Sequence, residues 1–201
     1  MKKSNFVCIL LSFIFIIWTI LVIGGFTEAF DLHIYNFIIK FRSNILDSFF
    51  KFITKFGNTS TVFIITFLFL IIKRNFSSFV LSFLALITPA IMFIIKSIIA
   101  RERPNILRII EIGGYSFPSG HSMISVSIYG YFIYYALKNI NNLILRYLVC
   151  SILFILILLI GISRIYLGVH YPSDVIGGYL ISSIILIIII NYSGKLRKEE
   201  D

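Results

Sequence analysis

Three short stretches of this chain collect residue types that handle oxyanions. They are Lys96 and, after six intervening residues, Arg103-Pro104; Pro118-Ser119-Gly120-His121; and Ser163-Arg164 followed by His170 and Asp174. Cationic side chains at the margins of apolar segments are costly to keep there and mark function by default. Lys96, Arg103 and Arg164 would place three positive charges around one point, and a guanidinium grips two phosphate oxygens at once. Two histidines in the same pocket supply both halves of a displacement: a nucleophile, and an acid for the departing oxygen. Asp174 lies four residues past His170, across a Pro172-Ser173 bend. Its carboxylate is placed to accept a hydrogen bond from one ring nitrogen, which fixes the tautomer and frees the other nitrogen to attack phosphorus. His170 is therefore the expected nucleophile. His121, with no acidic neighbour in sequence, is the expected general acid. Ser119 is expected to cap the helix that starts here, with the N–H groups of Gly120 and His121 pointing at the anion and no Cβ at Gly120 to block its approach.

Two histidines and a carboxylate are also a familiar metal-ligand set. Three neighbouring cations would repel a divalent ion, and no further acid near these motifs offsets them, so neither a metal nor another cofactor is expected. Each motif taken singly has a structural reading: Lys96 and Arg103 snorkelling at a helix end, Ser119 as a cap, Pro172-Ser173 as a turn. All three in order, and chemically complementary, favour a site.

The elements that must carry these residues are set by composition. With 59% hydrophobic and 13% charged residues and a mean hydropathy of +0.99, the chain is an integral membrane protein rather than a soluble domain. It reads as one domain over residues 1–201, because the apolar runs leave no stretch for a separate aqueous core. The net charge of +9 is scattered between apolar runs and forms no basic stripe, which argues against nucleic acid and for membrane topology. Cys8 and Cys150 sit in apolar runs without paired spacing and read as buried, reduced and structural.

Apolar runs at residues 6–25, 58–72, 76–99, 121–137, 143–163 and 174–192 predict an all-α bundle of six spans. The first run is too long for the apolar core of a signal peptide and is expected to be a retained span. The second is short unless Phe52, Ile53 and Phe56 join it. Between spans one and two, apolar residues recur at helical spacing over 30–53 with charges among them, the pattern of an amphipathic helix lying at the interface. His33 falls in this segment and reads as a surface side chain. Gly178 and Ser182, flanked by Gly177 and Ser183, form a small-residue face for close helix packing.

No span separates the first motif from the second, and two separate the second from the third. All three therefore reach one membrane face. Lys and Arg divide equally between the two faces. The balance tips once the charges of the amphipathic segment and those needed for chemistry are set aside. Both termini are then expected in the cytoplasm and the site on the extracytoplasmic side.

At these positions the chain resembles the type 2 phosphatidic acid phosphatase superfamily, which shares a catalytic core with vanadium-dependent haloperoxidases. The family pattern is Lys-x6-Arg-Pro, Pro-Ser-Gly-His and Ser-Arg-x5-His-x3-Asp, and every signature position matches between Lys96 and Asp174. The resemblance implies a phosphohistidine at His170, orientation of its ring by Asp174, and protonation of the leaving group by His121. Phosphate would be held by Lys96, Arg103, Ser119, Gly120 and Arg164, without a metal. It also implies a lipid phosphate or diphosphate substrate in the bilayer, such as a polyprenyl diphosphate, phosphatidic acid or phosphatidylglycerol phosphate. Oligomeric state is not legible. Two other function classes were weighed, an anion transporter and an inactive scaffold. The first needs cations along a path through the spans rather than at one face, and the second a broken catalytic set.

Overall fold

The computed structural model describes residues 2–105 and 108–200, with side chains over 3–105 and 108–195. Among the described residues eight α-helices follow one another: α1 (Lys2–Ile23), α2 (Glu28–Ile39), α3 (Asn44–Ile53), α4 (Thr59–Lys73), α5 (Phe76–Ile99), α6 (Gly120–Asn139), α7 (Leu143–Tyr166) and α8 (Pro172–Glu200). A 3-10 turn, Thr54–Gly57, joins α3 to α4. No strand occurs among the described residues.

Four helical stretches are long and apolar enough to cross a bilayer: Lys3–Ile23, Phe76–Ile99, Leu143–Tyr166 and Pro172–Lys195. At 1.5 Å per residue, 24 residues span about 36 Å, against a hydrocarbon core of about 30 Å. Their outer faces carry exposed Phe, Ile and Leu, including Phe13, Phe83, Ile98 and Ile155. Such rows are stable only in lipid or against a partner. The molecule is a multi-pass membrane protein.

The short second apolar run is lengthened at its start. Asn44–Gly57, which contains Phe52, Ile53 and Phe56, and Thr59–Lys73 are together long and apolar enough to cross a bilayer, as a pair bent by 53° that forms either one broken span or a re-entrant loop. The amphipathic segment expected over 30–53 is not one helix. It breaks at residues 40–43, where the Ser43 hydroxyl accepts a hydrogen bond from the Leu46 N–H and starts α3. The break divides its tasks: α2 buries Asp31 and Tyr35 against α7 and α8, and α3 forms the first part of the bent pair.

Helix α6 is absent from the four because its sequence is too polar, with Ser122, Ser125 and Ser127 along it. These serines are buried, since α6 packs against α4, α5, α7 and α8. Leu81, Leu84, Met123 and Ile128 form the core beside it. The small face expected on α8 serves this packing: a Cβ on Gly178 would lie 2.8 Å from the Ser119 carbonyl oxygen, so a larger residue would push α8 off α6.

The candidate active site

Helix α7 ends at Tyr166, and Gly168 adopts a left-handed conformation (φ 75°), which glycine tolerates without penalty. The chain turns back so that the N–H groups of Val169 and His170 both donate to the Arg164 carbonyl. His170 is thereby held at the end of α7, and α8 starts two residues later with Asp174 in its first turn.

The ring of His170 is 3% exposed and its tautomer follows from its neighbours. Nε2 lies 3.2 Å from Nη1 of Arg103, and a guanidinium only donates, so Nε2 must accept. The ring proton then sits on Nδ1, 3.3 Å from Oδ2 of Asp174. Burial is the main cause that drives the imidazole pKa down to about 3, with Arg164 and Lys96 adding to it and Asp174 opposing. His170 is thus a neutral base with its Nε2 lone pair turned toward the cavity.

Asp174 is fully buried, and both of its oxygens accept hydrogen bonds. Oδ2 also accepts from the Tyr171 N–H at 2.8 Å and from the Ser116 hydroxyl. Oδ1 accepts from Nη1 of Arg101 at 2.6 Å. Arg101 reaches on to Oδ2 of Asp31 at 2.9 Å and lies 4.1 Å from the centre of the Tyr171 ring. Asp31 in turn accepts from the N–H and hydroxyl of Ser173. Arg101 therefore bridges two buried carboxylates and joins α2 to the start of α8. Ala100 just before it takes a left-handed conformation (φ 50°) that ends α5, a strain of roughly 1–2 kcal/mol.

A cavity of about 270 Å³ opens in front of His170, and Lys96, Arg103, Gly120, His121, Arg164 and His170 all line it. Lys96 donates to the Tyr115 and Ser116 carbonyls at 2.5 and 3.0 Å. Arg103 is held by the carbonyls of Gly114 and Val169. Arg164, 1% exposed, donates from Nη1 to Thr54 at 2.6 Å, and its buried Nε has no hydrogen-bond partner. Three cations whose stems are fixed by neutral acceptors keep their charge for a guest, which is the arrangement an oxyanion requires.

His121 enters from the opposite wall. Its Nε2 lies 2.8 Å from Oδ1 of Asn58, a carbonyl oxygen, so Nε2 carries a proton. Asn58 stands at the bend of the broken pair, and a Cβ on the preceding Gly57 would come within 2.8 Å of the His121 ring. The bend thus holds both His121, through Asn58, and Arg164, through Thr54.

Six of the eight residues expected at the site line this one cavity. Asp174 lies behind His170. Ser119 does not cap α6: its side chain makes no hydrogen bond to the helix N–H groups. Its hydroxyl, fully buried, accepts from Ser122 instead, because the N-cap backbone is tied to the Asp174 carbonyl by the Ser119 N–H. At Gly120, which lines the cavity, the space a Cβ would take is filled by Met92 Sδ, 2.2 Å away. Motif reading also misses Asp31, Thr54, Asn58, Arg101, Ser116 and Ser173. Asp31 is 142 positions from Ser173, and nothing local distinguishes it from the other charges of its segment. Arg101 offers a faint signal, a third cation between Lys96 and Arg103. Among the described residues no group of three or more His, Cys, Asp or Glu could hold a metal ion.

Comparison with known proteins places this geometry. The family model described as "PAP2 superfamily" matches residues 78–198. Phosphatidylglycerophosphatase B of Bacillus subtilis is 32% identical over 106 residues, a stretch that spans 52% of this chain and 52% of that relative. The chain thus matches about half the length of that protein. An undecaprenyl-diphosphatase of Sulfolobus acidocaldarius is 28% identical over all of this chain and 98% of its own. Among solved structures, a transmembrane PAP2-type phosphatidylglycerolphosphate phosphatase of Bacillus subtilis superposes with a TM-score of 0.86 at 23% identity, covering 94% and 96% of the two chains. That likeness is one of fold. Aquifex aeolicus LpxE superposes with a TM-score of 0.67 at 29% identity, covering 80% of this chain and 94% of the other.

Proposed function

The chain belongs to the PAP2 superfamily, and from that premise we propose that it is a membrane lipid phosphatase working through a phosphohistidine at His170. One observation carries the reading: the lone pair of a neutral, fixed His170 Nε2 faces a cavity walled by Lys96, Arg103 and Arg164.

In the first step His170 Nε2 attacks phosphorus and the bond from phosphorus to the lipid oxygen breaks. His121, protonated on both ring nitrogens, gives its Nε2 proton to that oxygen and is left neutral. The Nδ1–H of the ring becomes more acidic as Nε2 bonds to phosphorus, and Asp174 stabilises the developing cation without taking its proton. Lys96, Arg103 and Arg164 balance charge on the equatorial oxygens. In the second step His121, now without that proton, takes one from a water that attacks phosphorus. The P–N bond breaks and orthophosphate leaves. Ser119 and Gly120 serve as backbone at the start of α6.

Six crossings are supported by the four spanning helices, the bent pair, and α6 shielded within them. With six, both termini lie on one face. Lys73, Arg74, Lys138 and Arg146 lie at the end of the bundle away from His170, in or beside short connections between helices, and the positive-inside tendency puts that end in the cytoplasm and the catalytic cavity outside it. The substrates to expect are those for which the relatives are named, phosphatidylglycerol phosphate and undecaprenyl diphosphate, with phosphatidic acid beside them. Purified protein in excess chelator, offered each lipid with a labelled terminal phosphate and quenched in base, should carry acid-labile label on His170. Release of phosphate with no label on that residue removes the proposed intermediate.

A further inference from the structure

At the end of the bundle remote from His170 two cavities adjoin. One, of about 280 Å³, is a groove between α5 and α8 lined by Phe76, Phe79, Val80, Phe83 and Ile189, with Ser193 at one edge. The other, of about 250 Å³, is bounded by Ser77, Tyr134, Tyr135, Lys138 and Asn139. Phe76 and Ser193 are walls of both. A hydrocarbon slot therefore lies directly beside a polar chamber, an arrangement that matches the two parts of an amphiphile.

This place is far from the catalytic cavity. Lys138 and His121 are both on α6, and 17 residues of helix separate them by about 26 Å. Ser193 is 19 residues along α8 from Asp174, about 29 Å. A phospholipid seated here is not the substrate in waiting.

Charge selects the kind of lipid. The Lys138 ammonium lies 4.6 Å from the centre of the Tyr134 ring, and no ion pair among the described residues involves it. Of the nine acidic residues, Asp31 and Asp174 are bound up with Arg101. Glu28 and Glu102 line a cavity that reaches His170, Asp47 bonds Tyr166 near the end of α7, and Glu111 lies in the α5–α6 connection that carries Arg103. The other three end the chain. No described acid faces Lys138 to hold an ammonium head group, whereas a phosphate finds a cation with hydroxyl and amide donors around it. Phe79 and Phe83 belong to the spanning stretch Phe76–Ile99 and are exposed. The groove opens at the depth of acyl chains, where its occupant is a lipid rather than a peptide or a free ion.

We propose that these two cavities form one binding site for an anionic phospholipid, its phosphate at Lys138 and one acyl chain along Phe76, Phe83 and Ile189. The site clasps α5, α6 and α8, whose other ends carry Lys96, His121 and Asp174, so an occupied site stabilises the fold that supports the catalytic cavity.

The test uses the full chain purified in a mild detergent, read by native mass spectrometry and thermal unfolding. The probes are dioleoylphosphatidylglycerol, dioleoylphosphatidylcholine and inorganic phosphate. The anionic lipid should be retained about tenfold better than the zwitterionic one and should raise Tm, while phosphate alone leaves Tm unchanged. Lys138→Gln, at an exposed position, should lower retention of the anionic lipid about tenfold. Arg146→Gln, a charge of the same end that lines neither cavity, should leave it within about twofold. His170→Ala should retain it fully. Equal retention of the two lipids, an equal loss in Arg146→Gln, loss in His170→Ala, or equal stabilisation by phosphate alone would each overturn the proposal.

Discussion

The two histidines of the cavity are held in opposite ways. His170 is locked from behind: Asp174 accepts its Nδ1–H, and Asp174 is itself held by Arg101, Ser116 and the Tyr171 N–H. Behind that stand Asp31 and Ser173. Among the described residues His121 has one side-chain hydrogen-bond partner, Asn58, at the bend between two helix segments. The difference matches the tasks proposed for them. A nucleophile needs a fixed tautomer and a fixed approach to phosphorus, and misplacement by an ångström costs heavily. An acid that gives up a proton and takes one back needs a partner it can exchange for the leaving oxygen. Asn58, a neutral acceptor, is such a partner, whereas a carboxylate would compete for the proton.

The sharpest way to break this contrast is to delete each ring in turn. His170→Ala should lower phosphate release by at least about four orders of magnitude for every substrate. His121→Ala should lose roughly 10²–10⁴ on a lipid phosphomonoester but far less on an aryl phosphate, whose leaving oxygen needs no proton. Equal losses on both substrates would deny His121 its role. Arg101→Gln comes next. It strips a partly buried cation from two carboxylates and should cost about 3–5 kcal/mol in unfolding free energy and about a hundredfold in kcat through misplacement of His170. Arg101→Lys should recover part of both. Asn58→Ala should be milder, about three- to tenfold in kcat with little change in Tm, since His121 still reaches the cavity. The smallest effect is on pH. The folded state holds His170 neutral down to about pH 3, while the free imidazole protonates near 6.5, so the unfolded chain binds the extra proton in between. Stability is then full above about 6.5 and is lost as pH falls toward 3, by at most about 1.4 kcal/mol per pH unit from this group. Thermal unfolding in detergent at pH 7 and pH 5 should reveal the slope, and His170→Gln should flatten it.

Much of the architecture is legible in the chain because lipid tolerates few solutions. Apolar runs of spanning length at 76–99 and 143–163 coincide with helices α5 and α7. The segment over 30–53 is less legible. Helical periodicity runs through its whole length, and only the Ser43 cap and the burial of Asp31 reveal that it is two helices with different neighbours. Helix α6 shows the converse. Its serines argue against a lipid-facing span, and what permits them is burial among four other helices, which no local pattern expresses.

For the candidate site, sequence alone determined the kinds of group present and the face on which they gather. Residue identity specifies charge and proton affinity, and the two apolar runs between the second and third motifs return the chain to the same end of the bundle. Tertiary structure alone decided which nitrogen of His170 carries the proton, that Arg101 and Asp31 stand behind Asp174, that Asn58 and Thr54 hold His121 and Arg164, and that Ser119 faces inward rather than capping. Those facts depend on contacts between positions more than a hundred residues apart in the longest cases. Hydrogen bonds of that kind act through distance in space, to which distance along the chain gives no guide.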